Sequence, residues 1–129
     1  MAGCCVDIKK ISDENNNFRE VLFTGSLIQM VMMSLEPGED LGIETHLDTD
    51  QFIRVEKGEG KALLDGKYYK LEEGAGIFIP PGAEHNVTNT STSDRLKLCT
   101  VYSPPEHPEG TIHKTKAESE AYEDATYYT

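Results

Sequence analysis

Two stretches of the chain combine side chains that can hold a metal ion or move a proton. The first contains Glu44, His46 and Gln51 within GIETHLDTDQFIRVEKGEG, and the second contains His85 within GAGIFIPPGAEHNVTN. Carboxylate oxygens and imidazole nitrogens are strong ligands for divalent metals, and an amide oxygen is a weaker, neutral one. Because side chains alternate along a β-strand, Glu44 and His46 are predicted to leave the same face. Whether these residues form one site depends on whether the two stretches meet.

The elements that must position these residues are predicted to be short strands. Apolar and β-branched runs of strand length recur between Gly- and Pro-containing turns: VLFT, LIQMVMMSL, QFIRVEKG, KALLDG, YYKL, GIFIP, HNVTNT and RLKLCTVYS. Asp65-Gly66 is a strong signal for a two-residue hairpin. Such spacing without a helical period predicts an antiparallel sandwich or barrel. One helix is predicted, near 116–125, because Thr115 and Glu118 form a capping box ahead of it.

The same two stretches carry a family resemblance. The first resembles the first motif of the cupin superfamily, which is a Gly, then H-x-H, a Glu and a closing Gly. Glu44 takes the place of its first histidine, His46 matches the second, and Gln51 replaces the glutamate. The second motif, G-x5-P-x-G-x2-H-x3-N, is matched at every fixed position: Gly74, Pro80, Gly82, His85 and Asn89.

The chain is therefore identified as a member of the cupin superfamily. The resemblance implies an all-β fold, a cupin-type double-sheet jelly-roll β-barrel with one short C-terminal helix. The barrel is expected over about residues 20–103, after an N-terminal arm, 1–19, and before a C-terminal loop and helix, 104–129. Together these segments form a predicted single domain over 1–129.

The cupin resemblance also implies a site, because both motifs line the open end of the barrel. Glu44, His46, Gln51 and His85 would converge where cupins of the usual type hold three histidines and a glutamate. Our interpretation is a divalent metal site for Zn, Mn, Fe, Co or Ni. The alternative is a metal-free ligand pocket in which the four side chains form a hydrogen-bond network, which is stable when every member has a partner.

More specifically, the chain resembles small cupins known as mannose-6-phosphate isomerase-like, through the run E-x-H-x4-Q-F-x-R-V-E and the segments EHNVTNTS and LKLCTVYSPPEHPEGTIHKTKAE. This implies a metal acting as a Lewis acid on a small sugar-like or oxygenated metabolite, with Glu44 as a proton shuttle. An Fe- or Ni-dependent cupin dioxygenase and a non-catalytic small-molecule-binding cupin are the alternatives.

Two more histidines, His107 and His113, lie in the segment EHPEGTIH, where flanking Pro and Gly predict a loop. One interpretation is that both are ordinary surface histidines. The other is that the tail forms a lid on the pocket and one histidine acts as acid or base, with His113 as the catalytic candidate beside Glu44.

Composition restricts the partners. The formal net charge is −11, from 23 acids and 12 bases, which disfavours nucleic acid and anionic membranes as partners and leaves a small-molecule substrate. Three cysteines, with Cys4 and Cys5 adjacent, do not make a disulfide framework. The absence of a signal-peptide pattern or membrane span in the sequence favours a cytoplasmic location. The cupin resemblance also implies a homodimer.

Overall fold

The computed structural model describes residues 2–128, with side chains described as far as residue 123. Two helices and nine strands follow one another in the order α1 (Ile8–Glu14), β1 (Arg19–Thr24), β2 (Gln29–Leu35), β3 (Asp50–Lys57), β4 (Gly60–Leu64), β5 (Lys67–Leu71), β6 (Gly76–Ile79), β7 (His85–Asn89), β8 (Leu96–Ser103), β9 (Ile112–His113) and α2 (Lys116–Tyr128). In the part of the chain described, no helix is both long and apolar enough to cross a membrane.

The strands form two antiparallel sheets, which confirms the predicted all-β, double-sheet architecture. The larger sheet has the order β6-β3-β8-β2-β1-β9, and the smaller has the order β5-β4-β7. The segment before β3 runs along the free edge of β7, where Asp40 bridges Thr88 and Glu44 bridges His85. This segment extends the smaller sheet and brings the first candidate motif against the second.

The core lies between the two sheets and follows from strand alternation. On β3 the side chains of Gln51, Ile53 and Val55 are buried, whereas those of Phe52 and Arg54 are exposed. The predicted shared face of Gln51 and the two aliphatic residues is therefore confirmed. Burying each aliphatic side chain contributes about 1.5–3 kcal/mol. On this face Ile53 and Val55 contribute hydrophobic stability, and Gln51 contributes a polar group near the start of β3.

Two turns show why glycine is required at particular positions. Asp65 and Gly66 both adopt positive φ, 46° and 80°, and connect β4 to β5 as the predicted two-residue hairpin. Gly58 has φ 98°, and a Cβ at this position would lie 2.8 Å from the carbonyl oxygen of Arg95. The glycine that closes the first motif therefore lets the chain leave β3 in close contact with the backbone that leads into β8.

The prediction of a single helix was wrong, because the N-terminal arm also contains α1. Asp7 caps this helix by accepting a hydrogen bond from the Lys10 backbone N–H. Lys97 from β8 donates to the carbonyl oxygen of Asn15 and to the side chain of Asn16, 2.8 Å away. A seven-residue helix is unstable by itself. Its packing against the outer face of the larger sheet therefore stabilises it.

The C-terminal helix is present as predicted and joins the edges of the two sheets. The Thr115 hydroxyl accepts from the Glu118 backbone N–H at 3.1 Å, and the Glu118 carboxylate accepts from the Lys114 N–H at 2.7 Å. Lys116 pairs with Asp40 beside the smaller sheet, which lowers the pKa of Asp40. The tail thus folds back over the barrel.

Candidate metal centre

Glu44, His46 and His85 come together at one end of the barrel. Reciprocal backbone hydrogen bonds of 2.9 Å join Glu44 to His85, and the carbonyl oxygen of His46 accepts from the Gly82 N–H at 2.8 Å. As a result, one carboxylate oxygen and one ring nitrogen from each histidine lie within 4.8 Å of one another. The structure thus brings together three of the four predicted metal ligands in a compact group.

The local hydrogen bond of His85 determines which of its nitrogens faces the group. Its Nδ1 lies 3.0 Å from the carbonyl oxygen of Ala83, so Nδ1 carries the proton because a carbonyl can only accept. The opposite nitrogen, Nε2, is buried and has no hydrogen-bond partner among the described residues. A buried imidazole nitrogen with a free lone pair is the form of histidine that binds metals.

His46 is held between two carboxylates. Oε1 of Glu106 lies 3.2 Å from its Nδ1, and Oε2 of Glu44 lies 3.1 Å from its Nε2. Glu44 raises the pKa of His46, and Glu106 adds to that effect. Even so, Nε2 makes no aligned hydrogen bond with any described residue. The two atoms therefore lie side by side, as two ligands of one ion would.

The carboxylate of Glu44 is ionised at neutral pH. Burial acts to raise its pKa, but His46 and, more weakly, Arg19 outweigh burial, so the pKa lies below the ordinary value. The site thus offers a charged oxygen ligand next to two imidazoles. This charge combination favours a divalent cation.

Gln51, the fourth predicted ligand, lies on β3 of the larger sheet. Its side chain is 2% exposed, and β-sheet pairing places it opposite Tyr102 on one side and Ile79 on the other. Its Oε1 is buried and unpartnered within the described part of the chain. Buried acceptors without partners are rare and point to a missing ion or water. The donor set of Glu44, His46, Gln51 and His85 therefore fits a divalent metal.

The C-terminal loop is fixed over this site by Gln29. The amide Nε2 of Gln29 donates to Thr24 Oγ1 at 2.9 Å and to the His107 carbonyl oxygen at 2.8 Å. Its Oε1 accepts from the backbone N–H groups of Glu106 and His107 at 3.1 and 3.0 Å. These contacts use the full hydrogen-bonding capacity of the amide. Glu106 is thereby positioned to contact His46, and its other oxygen accepts from Thr49 at 3.1 Å.

His107 is half-buried rather than on the open surface, so its interpretation as an ordinary surface histidine was wrong. Its ring contacts Tyr102 edge-on, with centroids 5.2 Å apart, and Tyr102 in turn lies 5.9 Å from the ring of His46. Burial and then the positive charge of Arg19 lower the pKa of His107 to about 3. His107 is therefore neutral at physiological pH. Its contact with Tyr102 supports the other interpretation, in which the tail folds over this end of the barrel.

His113 lies apart from the group of three ligands. It is on β9, opposite Arg19 of β1, and its ring tilts against Tyr122 at a centroid distance of 5.3 Å. It is buried, and burial followed by Arg19 lowers its pKa. The surface interpretation is thus wrong for His113 as well, whereas its role as an acid or base stays a prediction.

Three residues of this region were not predicted from the sequence: Gln29, Glu106 and Arg19. Gln29 and Glu106 act through contacts between segments 77 residues apart in the chain, which no local pattern encodes. Arg19 had one weak signal, because it alternates with the apolar Val21 at the start of a strand. This alternation places its guanidinium on the inner face.

Comparisons with known proteins agree with the architecture. The family model described as the cupin domain matches residues 31–102. An uncharacterized Bacillus subtilis protein, YrkC, is 42% identical over 125 residues, which cover 92% of this chain and 67% of YrkC. The crystal structure of the Bacillus halodurans protein BH2720 superposes with a TM-score of 0.90 at 39% identity, over 93% of this chain and 95% of that one.

A more distant similarity involves an enzyme. Quercetin 2,3-dioxygenase from Bacillus subtilis is 33% identical over 78 residues, which cover 60% of this chain but only 23% of the dioxygenase. The matched region is thus a minor part of that enzyme.

Proposed function

Because the chain belongs to the cupin domain family, we propose that it binds a divalent metal ion and acts on a small oxygenated metabolite. The ligands would be Glu44, His46, Gln51 and His85. The observation that carries the proposal is that one carboxylate oxygen of Glu44 and one ring nitrogen of each of His46 and His85 lie within 4.8 Å of one another. Nε2 of His85 and Oε1 of Gln51 are in addition buried without a partner among the described residues.

The metal-free alternative requires a satisfied hydrogen-bond network. In such a network each buried polar atom needs a partner, since an unsatisfied buried group costs about 1–3 kcal/mol. Nε2 of His85 and Oε1 of Gln51 have none within the described residues, whereas Nε2 of His46 lies 3.1 Å from Oε2 of Glu44. A cation would satisfy the two unpartnered atoms, so this observation favours the metal over the network.

When bound, the ion would supply Lewis-acid chemistry by polarising a carbonyl or hydroxyl oxygen of the substrate. The chain itself orients the ligands, because Ala83 and Glu106 each contact the Nδ1 of one histidine. The ionised carboxylate of Glu44 can accept a proton at Oε1 or Oε2 and return it to a neighbouring atom. Such proton transfer is what an isomerase-like reaction on a sugar-like metabolite requires.

The test is metal analysis of protein purified without chelators, followed by titration with Zn, Mn, Fe, Co and Ni. We expect about one ion per chain, following the single four-donor set. Titration calorimetry of chelator-treated protein should then give saturable binding for at least one of these metals. Protein that is isolated empty and takes up none of the five would overturn the metal proposal.

A dioxygenase is the second candidate, and the similarity to quercetin 2,3-dioxygenase favours it. Oxygen uptake by Fe- or Ni-loaded protein with phenolic or diketone substrates would distinguish this activity from an isomerase. A purely ligand-binding protein makes a different prediction. Its wild type would show no turnover, and Glu44→Ala would change only the ligand affinity. The homodimer stays a prediction, which light scattering tests.

A further inference from the structure

We propose that Glu106 is a positioning residue that couples metal binding at His46 to closure of the C-terminal loop, residues 104–111 between β8 and β9. The loop is then a lid that a bound ion locks in place. This role rests on the proposed function for its metal and adds control of access to the same site. Two attachments of the loop to the barrel carry the proposal, and only one of them involves a metal ligand.

The first attachment is made by Gln29 of β2. Its Oε1 accepts from the backbone N–H groups of Glu106 and His107 at 3.1 and 3.0 Å, and its Nε2 donates to the His107 carbonyl oxygen at 2.8 Å. The side chain of Gln29 is fully buried, at 0% exposed. None of these hydrogen bonds involves a predicted metal ligand, so this attachment does not depend on an ion.

The second attachment is made by the carboxylate of Glu106. Its Oε1 lies 3.2 Å from Nδ1 of His46, and its Oε2 accepts from the Thr49 hydroxyl at 3.1 Å. The carboxylate thus connects the loop to the segment before β3, which contains two of the predicted metal ligands. An ionised carboxylate can only accept hydrogen bonds. The contact with His46 is therefore strong only when Nδ1 carries a proton.

A metal ion would determine where that proton lies. Nε2 of His46 lies 3.1 Å from Oε2 of Glu44, so each ring nitrogen faces a carboxylate. A neutral imidazole has one N–H, and when that proton is on Nε2 the lone pair of Nδ1 faces Glu106. An ion bound by Nε2 leaves the N–H on Nδ1, where it donates to Glu106. Metal binding should therefore strengthen the second attachment.

The loop lies at the end of the barrel that contains the metal ligands. The ring of His107 contacts Tyr102 with centroids 5.2 Å apart, and Tyr102 contacts the ring of His46 at 5.9 Å. Tyr102 is also the sheet neighbour of Gln51. A loop that closes over a reaction site excludes water from it and retains the substrate. Closure of this loop would do both for a metal-bound substrate.

Hydrogen exchange measures the coupling directly. The Glu106 and His107 N–H groups that donate to Gln29 can exchange only when the loop opens. Mass spectrometry of the peptide that contains residues 104–111 can follow this exchange with any of the five metals. We expect exchange in the metal-loaded wild type to be about 10- to 100-fold slower than in the chelator-treated wild type, as for gain of a hydrogen bond to a charged group.

The decisive variant is Glu106→Ala, compared with Glu109→Ala at an exposed position of the same loop. Glu106→Ala should lose most of the slowing that metal causes, whereas Glu109→Ala should keep it. General stabilisation of the fold by metal would remain in both variants, so it cannot produce this difference. Glu106→Gln, which keeps the size but offers a neutral acceptor, should slow less than the wild type and serves if the alanine variant does not fold.

Linkage adds a second measurement. If metal binding favours the closed loop, the closed loop must favour metal binding by the same factor. Glu106→Ala should therefore weaken metal binding by about the factor that it removes from the exchange rate, which lies between about 10 and 100. Chelator competition measures this affinity, and a variant that loses the slowing but binds metal as tightly as the wild type would contradict the coupling.

The outcomes separate this inference from the proposed function. If the wild type takes up metal but its loop exchanges equally fast with and without the ion, the coupling is wrong and the metal proposal stands. If Glu106→Ala and Glu106→Gln keep the full slowing, the coupling through Glu106 is likewise wrong. If the wild type takes up none of the five metals, both proposals fail.

Discussion

The two histidines of the barrel and the two histidines of the tail have opposite neighbours. In the barrel, Glu44 and Glu106 flank His46 and raise its pKa. In the tail, Arg19 acts on His107 and His113 and, together with burial, lowers both pKa values. The same side chain thus lies among carboxylates in one region and is kept as a neutral hydrogen-bonding group in the other.

This difference has a structural cause. The barrel histidines lie on segments that pair through the smaller sheet, where Glu44 bridges His85. The tail histidines lie against the larger sheet, whose first strand contributes Arg19. The two regions meet at Tyr102, which lies between the rings of His46 and His107. One region therefore groups imidazoles with carboxylates, and the other groups imidazoles with a guanidinium.

The strongest test of this contrast compares single-histidine variants of the barrel with a single-histidine variant of the tail. We expect His46→Ala and His85→Ala to weaken metal binding by at least ~100-fold. Loss of a residue that only hydrogen-bonds to a ligand typically costs ~10- to 100-fold, and loss of a ligand should cost more. The matched variant His113→Ala should keep the wild-type metal affinity. Chelator competition measures all three, and equal losses in the barrel and tail variants would refute the division.

Replacing Glu106 tests whether the carboxylate beside Nδ1 of His46 contributes to metal binding. Glu106→Gln keeps the size but removes the charge beside Nδ1 of His46, and we expect about 10- to 100-fold weaker metal binding. Glu109→Gln, an exposed position in the same loop, is the control. Co(II) absorption spectra should also change for Glu106→Gln, because the orientation of the His46 ring changes. Unaltered affinity and spectrum would show that Glu106 has no part in the site.

Gln29 tests how the tail is held over the barrel. Gln29→Met fills the same space but leaves the backbone groups of Glu106 and His107 without partners, which should lower the free energy of unfolding by about 1–3 kcal/mol. Urea denaturation measures this loss. Hydrogen exchange should increase first in the loop around residues 104–110. If exchange is unaffected there, Gln29 does not determine the position of the loop.

A smaller effect concerns pH. His107 has a pKa of about 3 in the fold, below the ordinary 6.5, so the unfolded chain binds a proton first as the pH falls. Its contribution to stability is complete above pH 6.5 and declines below it, by roughly 1 kcal/mol at pH 5.5. Urea denaturation of metal-free protein at several pH values should show this slope. The slope should be shallower for His107→Leu, and parallel curves would contradict a half-buried His107 that stays neutral.

Several features of the fold and site were predictable because they depend on local spacing. Alternation along β3 placed Gln51 with Ile53 and Val55, and the Asp65-Gly66 turn required positive φ at adjacent residues. The capping box at Thr115 likewise depends on a spacing of three residues. Such patterns reflect backbone geometry within one element, so they can be read without the rest of the molecule.

The helix α1 shows the limit of this kind of prediction. Seven residues carry too little intrinsic helix stability to be recognised, and Asp7 is a cap only once the helix forms. Contacts that stabilise α1 come from Lys97, more than 80 residues away in the chain. The tail histidines were misplaced for the same reason, since loop composition predicts exposure but not what folds back over the loop.

By itself the sequence determined the all-β fold, the inward face shared by Glu44 and His46, and the types of ligand available for a metal. Folding alone brings Glu106 into contact with His46, lets Gln29 hold the tail, and buries Arg19 opposite His113. The difference lies in how far apart in the chain the interacting residues are. Strand alternation and turn geometry are set by neighbours in the chain, whereas the charge environment of each histidine is set by residues that only folding brings close.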